Sequence, residues 1–480
     1  MRFFRVVSFC AALGSVIPTS GQDSLQVLEL NDFLNIVLNN HPVIKQAELQ
    51  PNMADASLLM AKGKFDPKLE LTRDIKKFDK KDYWDDTYAA LKIPTWIPID
   101  PKFTFESRTG EFLDESESIP EENNNRQLTA GVSIPLGRGL FIDERRAIIK
   151  QANIYQDIAA AEQLKMANKL LFTVIKDYMN WSLAFQELNL LQQSVTIAEE
   201  LYRRVKLDYD FGEAASVDTV QALITLQKRQ TDYQKALFNF QASGYTLSNH
   251  LWREDRIPLE IKENTIPDTT SQFGDIPDQK TIFSFIEWAM ANHPEIQMIQ
   301  GKTEQLNIDR RLAKEFLKPQ VDLSYSFIDA PVNPTWTFEK PSFHDNYKLG
   351  MDLYLPLLLR KERGKLKLNE LKVRDINFEL DFLKQNITNE INTRYAELIM
   401  AQRLTEQYRL MAANYKSLLE AEFLNLETGE SDLFKLNIQQ DKFIESQLKY
   451  LFNLIKFQKL KAQILYDAGN LSHSLKSASS

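Results

Sequence analysis

The sequence predicts a mainly α-helical chain with two-faced β-strands, suited to a membrane barrel or to a half-buried sheet, laid out twice on one plan. Three observations carry that reading. The two halves share motifs in the same order, each half holds one very long stretch (141–211 and 365–428) with neither glycine nor proline, and short alternating segments sit at matching places. At 480 residues the chain exceeds the size at which one hydrophobic core keeps growing, so two domains or a repeated architecture is expected. Its 15 glycines are roughly half of average usage, too few for a chain made wholly of barrel strands and turns.

The first residues read as a secretory leader over 1–21. Arg2 and Arg5 form the charged start, Val6 to Ile17 the apolar run, and Thr19-Ser20-Gly21 a small-residue cleavage site. The run is shorter than the about 20 apolar residues that a membrane helix needs. The lone cysteine, Cys10, leaves with the leader, which excludes disulfides and thiolate metal sites, and Phe9 before it does not suit a lipid anchor. Loss of the two arginines moves the net charge from -8 to about -10, which argues against a nucleic-acid partner.

The repeat is read from ungapped matches. At an offset of 252 residues Asn40-His41-Pro42 meets Asn292-His293-Pro294, Phe33 meets Phe285, Ala61-Lys62 meets Ala313-Lys314, and Pro67 meets Pro319. Further on, Gly131 meets Gly350, Glu144-Arg145 meets Glu362-Arg363, and Gly212-Glu213 meets Gly429-Glu430, at offsets of 219, 218 and 217. The first structural repeat is therefore placed at 22–260 and the second at 261–470, with a disordered polar tail over 471–480.

Each copy reads helix, extended segment, extended segment, very long helix, turn, long helix. Pro67 or Pro319 ends the opening amphipathic helix. Alternation follows in Leu69-Leu71, in Leu128 to Ile134, in Val321-Leu323-Tyr325-Phe327 and in Tyr347-Leu349-Met351-Leu353-Leu355. One apolar and one polar face suits a lipid-facing barrel wall with a wet interior; a half-buried soluble sheet shows the same alternation. The first copy carries 33 extra residues, where Tyr88 to Ile93 and Lys102 to Arg108 read as two more strands. An even number of added passes keeps both ends of the excursion on one side of a membrane.

A helix of 65 to 70 residues is roughly 100 Å long. Along the first, Leu171, Val174, Tyr178, Trp181, Leu188, Leu191, Ala198 and Val205 step by fours and threes as a coiled-coil seam. The second repeats the pattern with Ile387, Ile391, Leu398, Ala401, Leu404, Tyr408, Met411, Tyr415 and Leu418. Residues 216–251 and 431–468 return antiparallel after turns at Gly212 and Gly429.

With the paired Asn-His-Pro motifs, the strand exits Ile134-Pro135-Leu136-Gly137-Arg138-Gly139 and Leu355-Pro356-Leu357, the basic openings Glu144-Arg145-Arg146 and Arg360-Lys361-Glu362-Arg363, and the two turns, the chain resembles the TolC family of outer-membrane efflux proteins. The resemblance covers the whole chain after the leader. It implies a TolC-like homotrimer with a shared β-barrel in the outer membrane of a Gram-negative cell, four strands per protomer in the simplest members, and a long periplasmic tunnel of paired helices. It also implies a periplasmic adaptor and, through it, an inner-membrane transporter as partners. Strands that span lipid must close into a barrel, and four are too few to close alone, so oligomerisation is expected on physical grounds as well.

No catalytic constellation, cofactor site or metal site is read from the sequence, and the chain is not expected to be an enzyme. His41 and His293 are read as parts of a repeated structural turn, with paired metal ligands as the rival. In the family the helical turns close the tunnel and meet the adaptor, so Gly212, Glu213, Asp218, Gly429, Glu430, Asp432 and Lys435 are the candidate gate or adaptor-contact residues. Asp218 and Asp432 stand where the family often places an aspartate; the rival reading is helix N-terminal carboxylates. Three residues on, where some members have a second aspartate, stand Gln221 and Lys435. Three functions of different class are weighed: a transport duct serving either efflux or a type I protein secretion system, a non-transporting periplasmic coiled-coil structural protein, and a secreted enzyme, which the lack of a convergent polar site disfavours.

Overall fold

The computed structural model describes residues 26–113, 119, 125–262, 264–270, 273–329 and 346–478. The leader expected over 1–21 lies outside them. The first repeat runs β1 (Gln26–Leu28), α1 (Leu30–Asn40), α2 (Pro42–Lys62), β2 (Lys68–Phe78), β3 (Lys81–Lys92), β4 (Asp100–Thr109), β5 (Arg126–Pro135), α3 (Glu144–Asp210), α4 (Ser216–Ser248), β6 (Trp252–Arg253) and β7 (Ile257–Pro258). The second runs β8 (Thr265–Pro267), α5 (Gln279–Asn292), α6 (Pro294–Glu315), β9 (Gln320–Asp329), β10 (Tyr347–Tyr354), α7 (Arg360–Glu427) and α8 (Leu433–Asp467), and α9 (Leu471–Ala478) follows it. No helix among the described residues is long and apolar enough to cross a membrane.

The duplicated His-Pro pairs are helix starts. Each histidine keeps extended backbone (φ -65° at His41, -61° at His293), and its Nδ1 accepts the N–H of Val43 at 3.1 Å or of Glu295 at 3.3 Å. Proline follows at the first helical position, where its missing N–H costs nothing. At His293 burial lowers the ring's proton affinity, which suits a neutral Nδ1 acceptor.

The chain divides into two compact units. One holds the chain up to Asn40, Val174–Phe273 and Gln402–Gln458. In it β1 pairs in parallel with β8, and the fully buried Tyr178 donates its hydroxyl to the Leu28 carbonyl at 2.7 Å while accepting the Asp268 N–H at 3.2 Å. Trp181 stacks on Phe240, and Leu188, Leu191, Ala236 and Ile444 form a buried cluster. On α7 the expected seam drifts: Ala412 and Leu419 are buried, while Met411 and Leu418 are exposed. A helix turning once per 3.6 residues slips past a strict 3.5-residue pattern by about 20° per heptad.

The other unit holds His41–Thr173, Gly274–Ala401 and the chain from Lys459 on. Its sheet has six antiparallel strands in the order β10-β9-β5-β4-β3-β2. The tail expected to be disordered from 471 is instead helical through Ala478. Leu471 is fully buried, and the Asn168 side chain donates to the Gly469 carbonyl at 2.8 Å and accepts the Ser472 N–H at 2.8 Å. One buried amide thus fixes both sides of the bend, which a polar composition does not reveal.

Candidate functional site

Two regions carry the functional candidates, one in each unit. The first is the pair of helical tips. At both, the helix ends in a Schellman motif, because a glycine in the left-handed region lets the chain fold back onto the last free carbonyls. Gly212 has φ 80° and Gly429 φ 78°. Glu213 N–H reaches the Asp208 carbonyl at 2.8 Å, and Glu430 N–H reaches that of Asn425 at 2.8 Å. Glu213 and Glu430 are exposed on these turns.

The helix starts that follow differ. Asp432 precedes α8 and its Oδ1 accepts the Lys435 N–H at 2.8 Å, an N-cap. Asp218 lies inside α4, and its Oδ2 accepts the Ala215 N–H at 3.2 Å. Counted from the turn glycines, Ala215 corresponds to Asp432 and Asp218 to Lys435, so the two aspartates are not equivalent. Both carboxylates serve helix starts. The Lys435 ammonium lies 3.8 Å from Asp432, and both side chains are exposed, so this pair contributes little.

Beneath the tips Leu201, Val205, Ala222, Leu419, Leu433 and Leu436 pack together. Asp441 takes Lys228 at 2.9 Å and the buried Arg229 at 2.6 Å; although burial pushes this carboxyl up, the two cations outweigh it and hold it below its ordinary value. Beside them Val217, Val220, Ile224, Phe434 and Ile438 form an exposed apolar strip around a hollow of about 330 Å³. Sequence reasoning singled out the turns and missed this strip, although its i, i+3, i+4 spacing was readable.

The second region is the six-stranded sheet. Register places Leu69, Leu91, Phe103, Ala130, Phe327 and Tyr347 in one row across all six strands. The same face carries Leu71, Ala89, Phe105, Leu128, Val132, Ile134, Leu323, Leu349 and Met351, with Leu69 79% and Met351 68% exposed. The opposite face is polar and concave. It wraps a hollow of about 690 Å³ lined by residues such as Lys102, Glu106, Arg108, Thr129, Ser326 and Lys348. Lys92 pairs with Glu70 at 2.7 Å and Arg108 with Asp86 at 3.3 Å on that polar face.

The extra residues of the first repeat are part of this sheet. β2 and β3 join through Asp79 and Lys80, both at positive φ as a two-residue hairpin turn requires. The return from β3 to β4 is held at the helix end of the sheet: Trp96 meets Phe65, and Asp100 takes Arg145 at 2.9 Å. Arg145 also pairs with Asp143, which accepts the Arg146 N–H at 2.8 Å and so caps α3. An aspartate just before a helical run is the sequence signal of such an N-cap.

The same unit also holds a polar hollow of about 390 Å³ between helices, lined by Lys165, His293, Glu295, Glu390, Arg394 and Asp467 among others. Lys165 pairs with Glu295 at 3.0 Å and Arg394 with Asp467 at 3.3 Å. Burial, aided by Glu390, outweighs Arg394 and pushes the Asp467 carboxyl up to about 6.

No protein-family model and no curated protein sequence matches the chain. Solved structures do. The Campylobacter jejuni CmeC outer membrane channel matches with a TM-score of 0.66 at 13% identity, over 94% of this chain and 89% of that one. The open state of the Neisseria gonorrhoeae MtrE outer membrane channel matches at 0.65 and 14%, over 92% and 89%. The Vibrio cholerae outer membrane protein VceC matches at 0.64 and 12%, over 92% and 96%. The chain has the TolC-like outer-membrane channel fold.

Proposed function

We propose that the protein is one protomer of a trimeric outer-membrane channel that gives substrates passive exit from the periplasm to the outside of a Gram-negative cell. The observation that carries this reading is the sheet: an exposed apolar belt on one face, a concave polar face behind it, and edge strands β2 and β10 that no further strand among the described residues covers. Such a sheet in water would leave its belt uncovered, and in lipid it must close with other copies. The fold shared with outer-membrane channels supports the same assignment.

The tips are the adaptor-facing end. Gly212, Glu213, Gly429 and Glu430 form the turns, Asp218, Asp432 and Lys435 hold the helix starts behind them, and the apolar strip offers a surface for a helical partner. The adaptor links the duct to an inner-membrane transporter. The duct is the same whether that transporter drives small-molecule efflux or type I export of a polypeptide.

The test is fractionation followed by mass measurement in detergent, with photo-crosslinking amino acids at Glu213 and Glu430 in cells. An outer-membrane trimer that captures a periplasmic protein at both positions is expected. Recovery as a soluble monomer, or labelling of the tips by reagents confined to the cell exterior, overturns the reading.

A further inference from the structure

We propose that three copies of this chain close an eighteen-stranded barrel, with β2 of each protomer paired antiparallel to β10 of the next. The proposal rests on the trimeric-channel reading and departs from the four strands per protomer implied by the family resemblance, which would close twelve. Three observations support it.

The added strands are continuous with the rest of the wall. β3 pairs with β4 from Asp85↔Thr109 to Lys92↔Lys102, and β4 with β5 from Asp100↔Ser133 to Ser107↔Arg126. A flap lifted clear of the wall would lack this register.

The apolar belt also continues through them. From β10 to β2 it climbs by about one residue per strand, from a stretch ending at Leu353 on β10 to one beginning at Leu69 on β2. A belt in lipid is level with the membrane, so the climb reports strand tilt. One residue of about 3.4 Å per strand spacing of about 4.8 Å gives a tilt of about 35°, within the range of membrane barrels. Strands β2 to β4 have no use for apolar side chains on this face unless lipid covers them.

Lastly, the edges fit. Six is even, so β2 and β10 run in opposite directions and a head-to-tail ring of copies closes with antiparallel seams throughout. Barrel diameter grows roughly in proportion to strand number. At this spacing and tilt, twelve strands enclose a backbone diameter of about 23 Å and eighteen about 34 Å.

The wall is read directly by electron microscopy of the full-length protein purified from membranes into nanodiscs. A trimer with eighteen strands and a barrel about half as wide again as a twelve-stranded one is expected. A trimer with a twelve-stranded wall overturns this inference and leaves the channel reading intact, whereas a particle that is no trimer overturns the channel reading itself. Cysteine pairs give a second measurement, since Cys10 is the only natural cysteine and lies in the expected leader. Met351→Cys combined with Leu69→Cys, Leu71→Cys or Arg73→Cys should yield disulfide-linked trimers at one register. Linked trimers from Met351→Cys with Phe105→Cys instead would make β4 the seam and put β2 and β3 outside the wall.

Discussion

Between α2 and α3 the first repeat crosses the sheet four times, and between α6 and α7 the described residues of the second cross it twice. At the tips the two repeats agree bond for bond, with the same backbone contacts to Asp208 and Asn425 at the same 2.8 and 3.2 Å. The difference shows which features each region must keep. A Schellman turn has one backbone solution, set by a left-handed glycine. A barrel wall needs only an even number of passes, so a hairpin can be added without disturbing what flanks it. Side chains that merely cap vary even where the backbone does not, as Ala215 and Asp432 show.

The largest effect is expected at a third Schellman turn, where Gly469 (φ +71°) ends α8. A Cβ there would lie 2.8 Å from Pro294 Cδ and 2.9 Å from His293 Cδ2, whereas one on Gly212 would meet nothing within 4 Å. Gly469→Ala should lose about 3 kcal/mol and Gly212→Ala or Gly429→Ala about 1 kcal/mol each, read from thermal unfolding in detergent. Equal losses at Gly469 and Gly212 would mean that the His293–Pro294 corner yields.

Next come two aspartates of α8 with opposite pH behaviour. Asp467, raised to about 6, is ionised at neutral pH against its environment. Its cost to stability is therefore relieved as pH falls through 6 toward the unfolded value near 4, by about 2 kcal/mol. Asp441 is held low, so its stabilisation is present at neutral pH and is lost as pH falls below the ordinary carboxylate range. Asp467→Asn should flatten the stability profile between pH 4 and 6, and Asp441→Asn should leave the slope between pH 5 and 6 unchanged while lowering stability across that range and at pH 7. Hydrogen exchange around each residue separates the two units.

The smallest effect tests the unequal tips. Asp432→Ala should cost about 1 kcal/mol of local stability at the start of α8, and Ala215→Asp should gain about half that at α4. Amide exchange at 216–220 and 433–437 reads both. A neutral Ala215→Asp would show that Asp218 already satisfies that helix start.

Much of this was legible in the sequence because its signals are local. Glycine and proline mark both tips and both His-Pro junctions, and Gly212, Glu213, Gly429 and Glu430 stand where expected. The sheet was only partly legible. β2 was readable as Leu69-Leu71 yet runs to Phe78, since Arg73, Lys76 and Lys77 interrupt the apolar alternation, and a bulge falls between Lys76 and Lys77. The membership of β3 and β4 in one wall is a long-range pairing that no local pattern encodes. Asp218 and Asp432 look alike in sequence because their distances from the turn glycine differ by only three residues, one turn of helix. Asn168 reads as a polar residue within a long helix; its role depends on a loop 301 residues away.

The exposed β2 edge also bears on how the molecule is made. All eleven of its residues are exposed, and until another copy arrives its free N–H and C=O groups can template any extended chain. In the proposed ring a lone protomer therefore faces a race between closure, which ends after two additions, and open-ended stacking, which has no end. Lys68, Arg73, Lys76 and Lys77 outnumber Glu70 and Asp74 on that strand, so the edge is charged throughout, and the bulge twists its outer end. Both features slow indiscriminate strand addition. In the proposed ring they leave the inner half, around Leu69 and Leu71, as the segment where docking begins, so the strand proposed to widen the wall would also set the timing of assembly.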